Sequence, residues 1–558
     1  MKVLPGLKTS THHTTLCLLL AAVAALFFIP FLGNAHLFDW DEINFAEVSR
    51  EMVITGNFAS PQIDFAHFTE KPPLFFWLQA LSMKAFGINE FAARLPNALL
   101  GTLVLPILFS IGKKIRNTQF GLLWVLAYFG SILPHLYYKS GIIDPYFNFF
   151  IFLGIYGIIR ASWKGEAGQK NLAWLLFGGF ATGMAILTKG PAALIITGLV
   201  IAVVIIGNRF RLFMPLPQLL IWFITALLVT ASWFVYNYLR NGSEFIVDFT
   251  IRQWELFSKP DAGQKGFLLY HFVFLFFGCF PASTFLIHAF TLLERNDKRM
   301  AAFKKWMSIL FWVVLILFTI VSTKIVHYSS LCYFPLSFLA AYSLYALIFE
   351  QQRFRTWMKI SLVVAALPFV LAPFAFVYGG RHIEAIKPLF KKDLFAMENL
   401  EAGVHWTGME ILPGILLLLV TAFVIVYAGK KFTRLSIILL FAGSALYIQL
   451  SLFFLINRIE HYSQLANIEF WASKSGEDCY YTSYGYKTYT YYFYGKVMPH
   501  QNPRYYDKDW LLHGNIDKPL YISAKVNAVE RLKKEVPDLE FLYHRNGFYF
   551  FKRPAANR

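Results

Sequence analysis

Two short charged runs hold the residues with the most to offer chemically. Asp39-Trp40-Asp41-Glu42 and Glu70-Lys71-Pro72-Pro73 both lie between Phe38 and Leu81, just past the first long apolar stretch. Carboxylates separated by one residue can share a divalent cation or set one another's pKa. Asp41 is therefore a candidate catalytic acid or base, and Asp39, Asp41 and Glu70 are candidates for holding a divalent metal. A blander reading has the same residues forming a solvated turn that caps a helix over residues 43–53. Position favours chemistry, because charges beside hydrocarbon cost free energy unless they line something wet. Glu47 and Arg50 follow at pairing distance on the same short helix.

In the second run, Pro72 pushes Lys71 out of helical conformation and the prolines can start the next helix. Leu74, Trp77, Leu78 and Leu81 then recur at helical spacing, so residues 73–86 are expected to lie at a membrane interface with an apolar underside. That holds Lys71 at headgroup depth, beside the acid Glu70. The commoner fate of such a lysine is to snorkel. Further candidates stand at the ends of apolar runs: Asp144 in Gly141-Ile142-Ile143-Asp144-Pro145, Lys189 in Thr188-Lys189-Gly190-Pro191, Arg252, and Lys324 in Ser322-Thr323-Lys324-Ile325-Val326-His327-Tyr328. Singly, each reads as an interfacial anchor. Together Lys71, Lys189, Arg252 and Lys324 put four cations on one face, which suits a phosphate leaving group opposite a nucleophile. Glu42 and Tyr328 are expected beside them as substrate contacts, with Asp144 as a second catalytic acid. His271 and His327 read more simply as helix-end histidines than as acid–base or metal groups.

The elements that must position these residues are membrane helices. Of 558 residues, 57% are hydrophobic and only 15% charged, against roughly 25% charged in soluble domains. Apolar runs of about 20 residues recur, which predicts a polytopic α-helical protein with about thirteen spans and excludes a barrel of short alternating strands. The net charge of +18 does not point to nucleic acid. The basic residues gather in alternate short loops, among them Lys113-Lys114-Ile115-Arg116 and Lys430-Lys431, as the positive-inside bias demands. This places the N-terminus in the cytoplasm and the loops 33–88, 240–265 and 379–409 outside, with the C-terminal part outside as well. The four cysteines form neither a CxxC pair nor a disulfide framework.

Residues 1–456 thus read as a transmembrane domain whose first outer loop, 33–88, carries juxtamembrane helices. Residues 457–558 read as a small soluble α/β domain. Within it, the tyrosine-rich runs 480–484 and 489–493 predict strands, residues 526–536 a helix, and Asn546-Gly547 the turn of a closing hairpin.

Asp41-Glu42-Ile43-Asn44-Phe45-Ala46-Glu47, Glu70-Lys71-Pro72-Pro73-Leu74 and Thr188-Lys189-Gly190-Pro191 resemble segments of the aminoarabinose (4-amino-4-deoxy-L-arabinose) lipid A transferases. They also resemble the wider protein O-mannosyltransferase-like group of GT-C glycosyltransferases. The similarity runs over roughly residues 10–350. It implies a GT-C fold and a polyprenyl-phosphate sugar donor such as undecaprenyl phosphate. It further implies inversion at the anomeric carbon, a lipid, glycan or protein acceptor, and a site at the outer face of a bacterial inner membrane. By position, Asp41 is then the essential acid, Glu70 and Lys71 flank the donor phosphate, Asp144 is a second loop acid, and Lys189 and Lys324 are further phosphate contacts. Such relatives also hold a metal between the glutamate of the Glu-Lys-Pro-Pro run and a histidine ahead of the eighth span. Here that loop reads Arg252-Gln253-Trp254-Glu255 and later Gly263-Gln264-Lys265, without histidine. The competing class, a flippase or carrier for polyprenyl-linked sugars, predicts polar residues in mid-span and a repeat between halves; the sequence has neither.

Overall fold

The computed structural model describes residues 9–258, 266–428 and 433–556. Gly263-Gln264-Lys265 and Lys430-Lys431 lie outside them. Helices dominate, as hydrocarbon requires of backbone groups that have no water to bond. Among the described residues nine helices are long and apolar enough to cross a membrane, or ten if the pair Tyr270–Gly278 and Ala282–Thr291, bent by 107°, is one crossing. Three shorter apolar helices, His12–Phe28, Thr118–Phe129 and Ala192–Gly207, sit where the sequence predicts spans. The expected number is reached only if the bent pair and these three are all counted.

In chain order, α1 (Thr9–Phe28) leads through an irregular segment to α2 (Asp41–Thr55). A two-residue hairpin, β1 (Gln62–Ile63) with β2 (Ala66–His67), precedes α3 (Leu74–Phe86). The Glu51 carboxylate accepts the backbone N–H groups of Asp64 and Phe65 at 2.6 and 2.9 Å, tying that hairpin to α2. Then come α4 (Glu90–Ile115), α5 (Thr118–Phe129), α6 (Ile132–Tyr137), α7 (Asp144–Glu166) and α8 (Leu172–Lys189). α3 buries Leu74, Phe75, Phe76, Gln79 and Ala80, as an amphipathic interface helix should.

Small residues let α7 and α8 meet backbone to backbone. A Cβ placed on Gly157 would stand 2.6 Å from the Cα of Gly178, the close approach that small-residue stripes give membrane helices. Because the two run antiparallel, the start of α7 (Asp144) and the end of α8 (Lys189) come to the same membrane face.

The last long helix runs Arg434–His461, beyond the boundary expected at 456, and leads into a four-stranded sheet of order β3-β4-β6-β5. Strand β3 (Tyr480–Tyr484) pairs parallel with β4 (Leu520–Lys525). β4 pairs antiparallel with β6 (Phe548–Arg553), which pairs antiparallel with β5 (Glu540–Arg545). Asn546 and Gly547 make the hairpin turn at φ 51° and 75°, the left-handed pair that a two-residue loop needs. The tyrosine run predicted as a second strand is instead a short helix, Thr490–Tyr494. Aromatic content raised its strand propensity, and packing overrode it: Tyr491 and Phe493 join Trp471 in a buried cluster that also takes in Ile43 and Ala46 of α2. The C-terminal sheet and the first loop therefore share one core.

Candidate active site

A cavity of about 1030 Å³ lies between the first loop, the ends of several membrane helices and the C-terminal sheet. Asp41, Glu70, Lys71, Lys189, Arg252, His327 and Tyr328 all line it. Residues scattered over nearly 300 positions of sequence thus converge on one polar space.

Asp41 is the first residue of α2 but does not cap it; Trp40 is the N-cap and makes no side-chain capping bond. Its side chain opens onto the cavity, with 41% exposure, and its Oδ2 lies 4.0 Å from His327 Nε2. Burial pushes its carboxyl above the ordinary range; His327, Lys189 and Lys71 pull it back, and Asp144 pushes it up again. Glu42, one residue on, has the opposite fate. Arg94 Nε and Nη2 donate to its two oxygens at 3.0 and 2.7 Å, and Phe38 N and Gly141 N donate as well. Burial opposes its ionisation, but the Arg94 guanidinium and these N–H groups hold the carboxyl below the usual range. Glu42 touches the cavity wall with both oxygens already bonded, so the expected substrate contact is a scaffold pair.

Glu70 and Lys71 stay together: Lys71 Nζ donates to Glu70 Oε1 at 2.8 Å. Arg252 approaches the other oxygen at 3.6 Å, and Gln253 Nε2 donates to the Glu70 carbonyl at 3.0 Å. Burial resists ionisation of Glu70, yet Lys71, then Arg252 and Lys487, bring its carboxyl down to about 2. Lys189 Nζ donates to Asp144 Oδ1 at 2.6 Å and lies over the Tyr328 ring at 5.7 Å. Asp144 itself is 2% exposed and sits behind the lysine. It anchors Lys189 rather than facing the cavity, because the glycine contact of α7 and α8 draws their ends together.

Lys324 departs from expectation. Its ammonium donates to the carbonyls of Phe318, Thr319 and Val321 at 3.0, 2.6 and 2.6 Å, and it does not line the cavity. Those carbonyls end the helix Lys298–Ile320, where a lysine satisfies groups the helix leaves without partners. His271 is fully buried and bonds Ser329 Oγ at 3.0 Å, while His327 reaches the cavity.

Asp39 turns toward the C-terminal part, its Oδ1 accepting Tyr489 N at 3.4 Å. Burial raises its carboxyl, opposed by the Thr488 hydroxyl, Tyr489 N and Lys525. Among the described residues no three His, Cys, Asp or Glu side chains form a metal-ligand group. Asp39, Asp41 and Glu70 each face a different partner, Glu70 between two cations, and this donor set does not fit a divalent metal.

The C-terminal part supplies residues that sequence reasoning missed. Lys487 lies over the Trp40 ring at 5.1 Å and the Tyr489 ring at 5.3 Å. Lys525 lies over Phe395 at 4.2 Å and Tyr486 at 5.0 Å. Both lysines line the cavity opposite the membrane helices. A lysine in an aromatic-rich run was the available signal, but only the tertiary fold shows which cavity it meets.

Residues 13–251 match the family model described as dolichyl-phosphate-mannose-protein mannosyltransferase. The chain is 26% identical over 339 residues to the undecaprenyl phosphate-α-4-amino-4-deoxy-L-arabinose arabinosyl transferase of Erwinia tasmaniensis, covering 59% of each chain. It is 25% identical over 391 residues to the transferase of the same name from Pseudomonas aeruginosa strain UCBPP-PA14, covering 69% of each. The match to the Erwinia protein therefore spans about three-fifths of that relative's length. Among solved structures, the crystal structure of ArnT from Cupriavidus metallidurans bound to undecaprenyl phosphate superposes with a TM-score of 0.75 at 18% identity. That superposition covers 98% of this chain and 99% of the other. The fold is that of the GT-C glycosyltransferases.

Proposed function

We propose, for a chain with the GT-C fold whose residues 13–251 match the dolichyl-phosphate-mannose-protein mannosyltransferase family model, that it is an inverting glycosyltransferase using a polyprenyl-phosphate sugar. The observation that carries this reading is the facing of Asp41 and the cations Lys71, Lys189 and Arg252 across one cavity at the ends of membrane helices. The isoprenoid chain lies between spans, and the donor phosphate meets the three cations. The acceptor oxygen attacks the anomeric carbon from the Asp41 side. As the new C–O bond forms, the bond from carbon to phosphate oxygen breaks and its electron pair leaves on the phosphate, inverting the centre. Asp41 receives the proton of a hydroxyl acceptor, or orients an acceptor already ionised. The cations neutralise the charge that builds on the leaving phosphate, each contact supporting about 3 kcal/mol of transition-state stabilisation.

Arg252 and Lys71 both hold Glu70, so their charges are fixed in place before substrate arrives, and preorganised charge is what stabilises a transition state. The cavity faces the outer side of the inner membrane, roofed by the C-terminal sheet, and the acceptor is a lipid, glycan or protein presented there. Nothing in the arrangement favours the flippase reading, since these charges gather at one end of the helices rather than along a path between them. Liposomes containing the purified protein and a radiolabelled polyprenyl-phosphate sugar test the proposal. The expected result is acceptor-dependent transfer that Asp41→Asn lowers by about 10³-fold or more. Translocation of the donor without transfer overturns it.

A further inference from the structure

His327 reads from sequence as a helix-end histidine, and the mechanism above leaves it unused. It lies in the 3₁₀ turn Val326–Cys332, and its ring reaches the cavity with 29% side-chain exposure. Nδ1 is 2.7 Å from the Tyr137 hydroxyl, with the two rings edge to face at 5.5 Å. Tyr137 ends α6, is buried, and packs edge to face on Tyr333 at 5.1 Å. The other ring nitrogen, Nε2, faces Asp41 Oδ2 at 4.0 Å, too far for a direct hydrogen bond and close enough for strong electrostatic contact or one small side-chain rotation. The remaining charged groups around Asp41 are Lys189, Asp144, Lys71 and, two residues before it, Asp39. Lys189 is bonded to Asp144 and Lys71 to Glu70. His327 is thus the neighbour whose polar face is directed at Asp41 by a partner on its far side.

Resting on the glycosyltransferase reading, we propose that His327 is the positioning residue of Asp41, held in register by Tyr137. The Tyr137 O–H donates to Nδ1, which leaves the proton on Nε2, aimed at the Asp41 carboxylate. A second nitrogen that fixes a tautomer in this way is a recurring device for directing a histidine. The imidazole keeps the carboxylate ionised and its acceptor-facing oxygen oriented. It forms no bond to the sugar, and the acceptor proton ends on Asp41.

The test compares His327→Ala, His327→Gln and Tyr137→Phe in the liposome transfer assay. His327→Ala is expected to lower kcat roughly 100-fold, the lower end of what a positioned base contributes, without raising KM for the donor. The acidic limb of its pH–rate profile moves to higher pH, because the carboxylate has lost the N–H that favoured its ionised form. His327→Gln, which keeps an N–H at the same reach, recovers much of kcat and returns the limb toward its wild-type position; Tyr137→Phe falls between. A limb unmoved in His327→Ala overturns the proposal. So does a raised donor KM with kcat retained, which makes His327 a donor ligand instead. If the wild-type protein transfers no sugar, the glycosyltransferase reading fails separately. The positioning claim is then decided by infrared titration of the carboxyl band that Asp41→Asn removes: a band titrating at higher pH in His327→Ala supports it, and an unshifted one overturns it.

Discussion

Asp41 and Glu42 are adjacent in sequence and opposite in fate. Glu42 is enclosed: two bonds from Arg94 and two from backbone N–H groups use both its oxygens, and Arg94 spends its remaining donors on the carbonyls of Leu32, Ala35 and His36. Asp41 faces open space, with a histidine at 4.0 Å and cations beyond it. The same division recurs across the site. Glu47 and Arg50 close on one another through two bonds of 2.7 Å, whereas Lys71 and Lys189 each have one carboxylate partner and a face on the cavity. Ion pairs whose polar atoms are taken up by each other and by the backbone build the frame, and those with a face left over are the ones placed for chemistry. The difference lies in bond count rather than residue type.

That contrast is broken most severely at its open end. Asp41→Asn is expected to lower transfer by about 10³-fold or more, within the range of general-base contributions, while the thermal midpoint in detergent stays at the wild-type value. A large drop in that midpoint would show Asp41 to be part of the frame. At the closed end, Arg94→Ala leaves a carboxylate buried and unpaired and should cost about 3–5 kcal/mol of stability, read by unfolding in detergent. Pairing it with Glu42→Gln should restore part of that loss, and a double-mutant cycle with no coupling would dissolve the pair. Lys189→Ala sits between the classes. It should lower kcat by roughly 100-fold, equivalent to one lost anion contact of about 3 kcal/mol, with little effect on stability.

The smallest expected effect is at an acid with no cation. Burial raises the Asp64 carboxyl from 3.8 to about 7, with Tyr492 opposing the rise and Glu47 adding to it. The folded state then holds a proton that the unfolded state has released, so this contribution to stability is full below pH 4 and lost as pH rises through about 7. Asp64→Asn should flatten the midpoint against pH over that window, and an unchanged slope would remove Asp64 as its source.

How far the sequence speaks follows the same line. Membrane helices were legible because apolar runs of the right length have few other uses. Asp41, Lys71, Lys189 and Arg252 were legible as a set because each is a charge at the edge of hydrocarbon. Glu42 reads from sequence as a substrate contact beside Asp41, since its partner Arg94 lies 52 residues away on α4 and no local pattern announces the pairing. Lys324 was misread because snorkelling, phosphate binding and helix capping all ask for the same residue in the same place. Lys487 and Lys525 could not be assigned, since their meeting with Trp40 and Phe395 depends on how the C-terminal sheet docks.

The Arg50 guanidinium donates to the carbonyl of Val497 at 2.6 Å, and the Leu37 amide to the Tyr494 hydroxyl at 2.7 Å. Both bonds join the first loop to residues made some 450 positions later. During synthesis the chain emerges in order, so the early loop waits without these partners until the residues around 494–497 have been made. A nascent chain halted before Tyr494 would carry every cation of the proposed donor site and still lack a finished pocket, which ties completion of that pocket to synthesis of the segment around Tyr494 rather than to insertion of the spans.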